Sequence, residues 1–288
     1  MKKLLAIILV VLMSISVVSC NRKKDEEEKS SVKDYADSRK YQIKDANGTV
    51  LGELTYDFKG TDEAIITKYT PSIADLHSVV IPEVIPDAER TVVGIGSEAF
   101  YACSYVTAVY MPNTITHIGD GAFYQCSAMY KVILPEELTS IGKNAFAECS
   151  SLTIIQFCED AVVSTIGDRA FSRCSIEQLA IPEGVKTIGQ GAFFECEYLT
   201  SVSLPDSVEA IGEAAFAGCE AIEQITLGAN IKEMGEYALG TIPTDTTEIL
   251  VFPEGSVTAG TIDSVYEAID ELPEDSDSLP EDNVDNAE

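Results

Sequence analysis

The side chains that could support nucleophilic or metal chemistry in this chain are eight cysteines and two histidines. Six cysteines occupy one equivalent place in a repeated phrase, whose clearest copy, Ile188 to Cys196, reads Ile-Gly-Gln-Gly-Ala-Phe-Phe-Glu-Cys. Periodicity therefore accounts for them without a catalytic role. Of the histidines, His117 stands where other copies carry Ser, Thr or Ala, so we interpret it as a surface variant, and His77 belongs to no motif. We expect no catalytic residue, no metal site, no cofactor and no enzymatic activity.

The cysteine count alone would suggest disulfides in an exported protein. If the repeated cysteine lies on a helical side of each unit, neighbouring units are separated there by roughly 8–10 Å. That spacing exceeds the roughly 7 Å limit between the Cα atoms of a disulfide. We therefore predict six reduced thiols, the ladder thiols: Cys103, Cys126, Cys149, Cys174, Cys196 and Cys219. Cys158, which replaces a proline at the end of one strand, is the expected exposed thiol.

The charge of the chain restricts its partners. Its 48 acidic and 19 basic side chains give a formal net charge of −29. Nucleic acid is excluded as a partner because its phosphates need Lys or Arg, and anionic lipid headgroups are disfavoured for the same reason. The acidic residues do not suggest a calcium loop either. Asp275 and Asp277 begin like one, but Leu279 and Pro280 occupy positions that need an oxygen ligand and glycine.

The secondary-structure elements that position these side chains can be predicted from a sequence repeat. Phenylalanine recurs at steps of 23, 23, 25, 22 and 23 residues, at Phe100, Phe123, Phe146, Phe171, Phe193 and Phe216. Such a period indicates a solenoid. In each unit a strand like Val202-x-Leu204 alternates at period two and ends at a proline. After an Ile-Gly bend, Ala, Phe and Cys lie within roughly a 100° arc of one helical turn. Each unit is therefore a strand, a bend and a short helical piece, and the strands should form one parallel sheet.

Departures from the repeat mark the two ends of the repeated region and one irregular unit within it. Two extra residues precede Ile166, and Ile176 lies one position nearer Cys174 than usual, which predicts a local bulge. Asn47-Gly48 is a strong hairpin signal. The predicted domains are a signal peptide (1–19), a tether (20–38), a β-hairpin cap (39–63), the solenoid (64–258), a helical cap (259–269) and a disordered acidic tail (270–288).

The amino terminus indicates export. Met1-Lys2-Lys3 precedes an apolar stretch, Leu4–Val18, which is too short to span a bilayer and is typical of a secretory signal. Val17-Val18-Ser19-Cys20 is similar to a bacterial lipobox, which implies lipidation of Cys20. The alternative is a cleaved signal followed by an ordinary cysteine. With the lipid anchor, we expect an exported, membrane-anchored lipoprotein at the cell surface or facing the periplasm.

The strand residues between the buried positions should form a solvent-facing surface. They are mostly uncharged in an otherwise acidic chain, as the centres of interfaces are. An alternative is that short residues there only relieve crowding. The candidate binding surface comprises Tyr110, Tyr130, Lys131, Ile133, Ile154, Gln156, Gln178, Ser201, Ser203, Gln224 and Thr226.

The repeated phrase resembles the BspA-like (Treponema pallidum-type) leucine-rich repeats. The matching residues are Ile-Gly-x-x-Ala-Phe-x-x-Cys at 95–103, 118–126, 141–149, 166–174, 188–196 and 211–219. The resemblance implies a leucine-rich repeat solenoid (an α/β repeat), with a parallel β-sheet on the concave face, short helical segments opposite and the β-hairpin cap at its start. It also implies binding or adhesion to a protein or glycan on a host or another cell. A structural scaffold in an envelope complex is the alternative function.

Overall fold

The structure is a computed structural model that describes residues 39–72, 75–86, 88–158 and 160–240, together with the backbone of 250–251. Its strands are β1 Lys40–Lys44, β2 Val50–Lys59, β3 Glu63–Pro71, β4 His77–Val80, β5 Val84–Ile85, β6 Arg90–Ile95, β7 Val106–Tyr110, β8 His117–Ile118, β9 Lys131–Ile133, β10 Ser140–Ile141, β11 Ile154–Gln156, β12 Thr165–Ile166, β13 Gln178–Ala180, β14 Thr187–Ile188, β15 Ser201–Ser203, β16 Ala210–Ile211, β17 Gln224–Thr226, β18 Glu233–Met234 and β19 Leu250–Val251.

A β-hairpin opens the described chain, as predicted. Strands β1 and β2 pair antiparallel on either side of Asn47-Gly48, and β3 adds antiparallel to β2. The Asp45 side chain accepts hydrogen bonds from the amides of Asn47 and Thr49, which stabilises the turn. Strand β3 then pairs parallel with β6, so the hairpin covers the first coil of the solenoid.

The Ile-Gly bends form a ladder of their own, which the sequence did not predict. The first bend contributes β6, and each later bend contributes a two-residue strand, to an 11-stranded long sheet of order β1-β2-β3-β6-β8-β10-β12-β14-β16-β18, with β5 on β6. The glycines allow this close stacking. A Cβ on Gly167 would lie 2.7 Å from the backbone carbon of Gly142 and 2.8 Å from its oxygen.

The longer repeat strands form two sheets, so the prediction of one continuous parallel sheet is wrong. We call β4, β7, β9 and β11 the first sheet and β13, β15, β17 and β19 the second sheet. The break falls where the repeat is irregular. Strand β13 does not pair with β11, and both the two extra residues before Ile166 and the short connection between Cys174 and Ile176 lie between these strands. The expected bulge is therefore a gap in the hydrogen-bond ladder.

The predicted helical segments are also wrong, because the described residues contain no helix, and hence none long and apolar enough to cross a membrane. Ala-Phe-x-x-Cys instead forms two tight turns. In the first copy the left-handed residues are Glu98 (φ 56°) and Ala102 (φ 53°), and a helix cannot pass through them. Alternate amides then bond to the next coil, as in Phe100 N–H to Ala122 O at 2.7 Å.

Stacked aromatic rings fill the core on this side. Every phenylalanine of the period is fully buried, with ring centroids 4.9–5.4 Å apart from Phe100 to Phe216. Tyr69 of β3 extends the stack by one ring, 5.1 Å from Phe100. The solenoid is thereby confirmed. The predicted signal, tether, helical cap and acidic tail (1–19, 20–38, 259–269 and 270–288) lie outside the described residues, and those boundaries stay predictions.

Candidate binding surface

The ladder thiols lie inside the solenoid. From the second copy onward, each donates to the carbonyl oxygen of the phenylalanine one coil earlier, as in Cys149 Sγ to Phe123 O at 3.1 Å and Cys174 Sγ to Phe146 O at 3.2 Å. Burial raises the pKa of the Cys149 and Cys174 thiols. These groups stay protonated at neutral pH, so they are unsuited to nucleophilic chemistry.

Two expectations about cysteine need correction. Cys158 is buried, whereas Cys219 is only half-buried and is the more accessible thiol. The helical spacing used against disulfides is also wrong, because the coils are hydrogen-bonded there at strand spacing, about 4.8 Å. None of the seven described cysteines is in a disulfide, and the reduced state of the ladder thiols in the native protein remains a prediction.

Both histidines pack against or hydrogen-bond to neighbouring parts of the fold. Nε2 of His77 lies 2.7 Å from the hydroxyl of Tyr69, and its Nδ1 lies 2.7 Å from the carbonyl oxygen of Asp75. His117 is half-buried rather than a surface variant, and its ring packs over Gly94, where a Cβ would come within 2.3 Å. Burial, then nearby Lys59, lowers the pKa of His117. Within the described residues, no group of three or more His, Cys, Asp or Glu is placed to hold a metal ion.

The first sheet carries the apolar part of the candidate binding surface. Val80, Tyr110 and Ile133 stand side by side in register on β4, β7 and β9. In-register side chains of neighbouring strands are about 4.8 Å apart, so they form a contiguous row. Tyr110 is 47% exposed and Val80 59%. The period-two alternation of β4 places Val80 in the same outward column as Tyr110 and Ile133, although Val80 is not among the residues of the predicted candidate surface.

A second row on the same sheet is mixed in character. Ala108, Lys131 and Ile154 are in register on β7, β9 and β11. Ile154 is 46% exposed, and Tyr130, directly before β9, is 49% exposed. The inward residues Val79, Val109 and Val132 are buried and Ile155 of β11 is half-buried, so the strands turn the opposite face to solvent.

The remaining predicted residues form a separate, polar face. Gln178, Ser201 and Gln224 are in register on the second sheet, as are Ser203 and Thr226. They are neutral hydrogen-bonding side chains without an exposed aromatic residue among them. On the first sheet, Gln156 lies in register beside Ile133 and adds a polar side chain at the end of the apolar row. The ladder gap thus divides the candidate surface into an apolar part and a polar part.

Carboxylates border the first sheet where its strands end. Glu83 follows β4, Glu136 and Glu137 follow β9, and Asp160 follows β11. Glu83, Glu137 and Asp160 are exposed, and none of the ion pairs between described residues includes them. Glu136 accepts a hydrogen bond from Asn113 at 3.4 Å. This edge is therefore electronegative beside a mainly apolar centre whose one charged side chain on the outward strand positions is Lys131.

Comparison with known families agrees with this architecture. The family model described as the BspA type leucine-rich repeat region, in six copies, matches residues 74–198 and 164–250, more than half of the chain. No curated protein matches the sequence.

Several solved bacterial structures are similar. The leucine-rich repeat protein of T. pallidum is 31% identical with a TM-score of 0.56, over 63% of this chain and 83% of that one. One from Bacteroides ovatus is 32% identical with a TM-score of 0.58, over 66% of this chain and 56% of the other. A leucine-rich cell surface protein from Faecalibacterium prausnitzii is 33% identical with a TM-score of 0.56, over 72% and 55%. The chain thus spans little more than half the length of the last two.

Proposed function

Since the chain belongs to the BspA-type leucine-rich repeat family, we propose that it is an exported, lipid-anchored bacterial protein whose solenoid is a non-catalytic binding module. Its ligand is a protein or glycan on a host or another cell. The membrane is contacted through the lipid on Cys20 alone. The similarity to the F. prausnitzii protein, which is described as a cell surface protein, supports export.

The exposed face of the first sheet carries this proposal. Val80, Tyr110 and Ile154 on the strands and Tyr130 directly before β9 are each more than two-fifths exposed. A large apolar surface without a folding role marks a site of interaction. Charge depletion with aromatic content is the composition of an interface centre, and it stands out in a chain with a net charge of −29.

A triple substitution tests the binding face. Tyr110→Ser, Tyr130→Ser and Ile133→Ser together should abolish retention of ligands by the full chain on a panel of host extracellular proteins and a glycan array, with unchanged thermal melting. Tyr198→Ser is the matched control, because Tyr198 is 60% exposed and lies outside the repeat strands. If the triple variant keeps every ligand of the parent, the binding face is wrong, and the scaffold function is favoured.

The anchor has its own test. Cys20→Ala should move the protein from the detergent phase to the aqueous phase of extracted cells, because the lipid would be lost. Proteolysis of intact cells then gives the location of the solenoid. Cleavage places it outside the cell, whereas full protection places it in the periplasm.

A further inference from the structure

We infer that the first sheet binds a cationic protein surface with apolar residues at its centre; this partner class rests on the proposed binding function. Two features carry the inference together: a mainly apolar face, whose one charged side chain on the outward strand positions is Lys131, and unpaired carboxylates along one edge of it.

The face accounts for the centre of the contact. Val80, Tyr110 and Ile133 form one uninterrupted row across three strands. Lys131 is the only charged side chain on the outward positions of the four strands. Tyrosine supplies large contact area at low conformational cost, and such residues dominate the energy of protein interfaces. The centre therefore matches apolar and aromatic groups of a partner.

The edge accounts for the charge of the partner. Glu83, Glu137 and Asp160 are exposed, and no Lys or Arg of the described chain neutralises them. A carboxylate row continues beside the second sheet with Glu183 and Asp206. Charged groups at the rim of an interface steer encounter and reject partners of like charge. Basic groups flanking an apolar centre are the complement of this arrangement.

Other occupants fit the same surface less well. A second copy of the chain would bring two bodies of charge −29 together. Like charges placed against each other across an interface weaken binding by on the order of several kcal/mol. A neutral glycan would stack on the tyrosines and donate hydroxyl hydrogen bonds to the carboxylates, but it would gain no Coulombic attraction from their charge. A cationic protein uses both features.

Selection of displayed peptides on the full chain tests this partner class. A random peptide library contains basic, neutral and acidic sequences with and without aromatic residues, so it does not presuppose the answer. The expected binders carry Lys or Arg on either side of aromatic or branched aliphatic residues. Their association with the chain should slow steeply as salt is added.

Two variants assign the effects to the two features. Glu83→Gln, Glu137→Gln and Asp160→Asn together should slow association of the selected peptides by about tenfold at low salt and flatten the salt dependence. Tyr110→Ser with Ile133→Ser should mainly speed dissociation. Glu197→Gln, Glu220→Gln and Glu236→Gln form the control, since they remove the same charge from exposed positions away from the first sheet.

The outcomes separate this inference from the function on which it rests. Basic binders that respond to both test variants and not to the control support it. Binders that need Tyr110 and Ile133 but are neutral or acidic overturn the cationic partner and leave the binding face intact. If the control variant slows association as much as the variant of Glu83, Glu137 and Asp160 does, the assignment of the charge effect to this edge is wrong. Binders indifferent to Tyr110 and Ile133 overturn both proposals.

Discussion

At the residue scale, single atoms decide how closely the coils stack. The glycine after each repeat isoleucine lies against the backbone of the preceding coil, with no space for a methyl group. Gly167 would place a Cβ 2.8 Å from the carbonyl oxygens of both Gly142 and Ile141. Backbone cannot withdraw as a flexible side chain does, so the glycine is a steric requirement of the long sheet.

Gly167→Ala should therefore lower the free energy of unfolding by about 3 kcal/mol. The reason is that the methyl group must separate two hydrogen-bonded coils. Urea unfolding followed by circular dichroism measures the change. Gly60→Ala is the control: its Cβ would meet nothing within 4 Å, so only its left-handed backbone (φ 70°) costs stability, about 1 kcal/mol. Equal losses for the two variants would contradict the steric argument.

The left-handed residues predict a stabilising change. Ala102 is exposed and has a φ of 53°, which strains any residue with a Cβ. Ala102→Gly should raise the free energy of unfolding by about 0.5 kcal/mol, because relief of strain exceeds the added entropy of the unfolded chain. Ala128→Gly, at a turn position without positive φ, should instead lower it. A loss at both positions would show that strain at Ala102 is small.

The buried thiols predict sensitivity to alkali. Burial raises the pKa of Cys103 to about 12, and it also raises the pKa of Cys149 and Cys174; for Cys126 the neighbouring Cys149 thiol raises the pKa first and burial second. The unfolded thiols titrate near the ordinary value of 9.0. Stability is therefore complete below that pH and is lost as the pH rises toward the folded values, by up to about 1.4 kcal/mol per pH unit for each thiol.

Urea unfolding between about pH 8 and about pH 11 checks this alkaline loss. The variant Cys126→Ala with Cys149→Ala should start less stable but lose less on raising the pH. Intact mass after alkylation in urea without a reductant tests the reduced state in parallel, because unfolding exposes the thiols and leaves any disulfide unmodified. A disulfide between any two ladder thiols, or the same alkaline slope in the variant, would contradict the prediction.

At the element scale, the gap between β11 and β13 leaves strand groups without partners. The Leu134 amide donates to the carbonyl of Gln156 at 2.8 Å. Phe157 has the equivalent position one coil later, and its amide has no acceptor among the described residues. The gap is local, because the turns on the opposite side stay bonded, as in Phe146 N–H to Ala170 O at 2.7 Å. The two sheets therefore share one core while their outer faces differ.

Hydrogen exchange should detect this gap. After correction for intrinsic rates, the Phe157 amide should exchange about fivefold faster than the Leu134 amide or more, since one hydrogen bond contributes about 1 kcal/mol. Amide-resolved NMR gives both rates in one experiment. The Phe146 amide serves as the control and should be as protected as its counterparts in other coils. Equal protection of Phe157 and Leu134 would mean that the ladder closes in solution.

At the scale of the whole molecule, charge opposes the compact state. The chain has 48 acidic against 19 basic side chains, and several of its described ion pairs are exposed on both sides, such as Lys232 with Glu209 at 2.6 Å. Exposed pairs contribute little to stability. Repulsion among the unpaired carboxylates therefore outweighs attraction.

Added sodium chloride should raise the melting temperature, because it screens repulsion more than it weakens the few ion pairs. Differential scanning calorimetry from low to physiological salt and above measures the shift. The variant Glu197→Gln with Glu220→Gln should melt higher at low salt and respond less to salt. A melting temperature that falls on adding salt would mean that the ion pairs dominate.

The periodic residues made most of the fold predictable. Phe100 to Phe216 recur at one coil length, and only a stack of coils buries them all. The hairpin at Asn47-Gly48 was equally readable, because its turn chemistry is local. The helical pieces were wrong because Ala, Phe and Cys at that spacing suit two tight turns as well as one helical turn. Glu98 and Ala102 have no local preference for the left-handed backbone they adopt.

The candidate surface was predictable in part for a similar reason. Alternation placed Tyr110 and Ile133 on the outward face, and the structure puts them in register. The division between the first and second sheets was not predictable, although the irregular spacing around Ile166 and Ile176 was visible. Whether hydrogen bonding between neighbouring repeat strands resumes after an insertion depends on the distance between those strands, which the neighbouring coils set.

The amino-acid sequence by itself determined the repeat, its family and the sides of the strands that face inward. The reason is that only a stack of coils buries apolar residues that recur at this period. Only the tertiary structure decided which outward residues share a surface. Register between coils is a long-range property, set where Gly167 meets Gly142 and where β13 fails to meet β11. That register brings Val80 beside Tyr110 and separates both from the polar face.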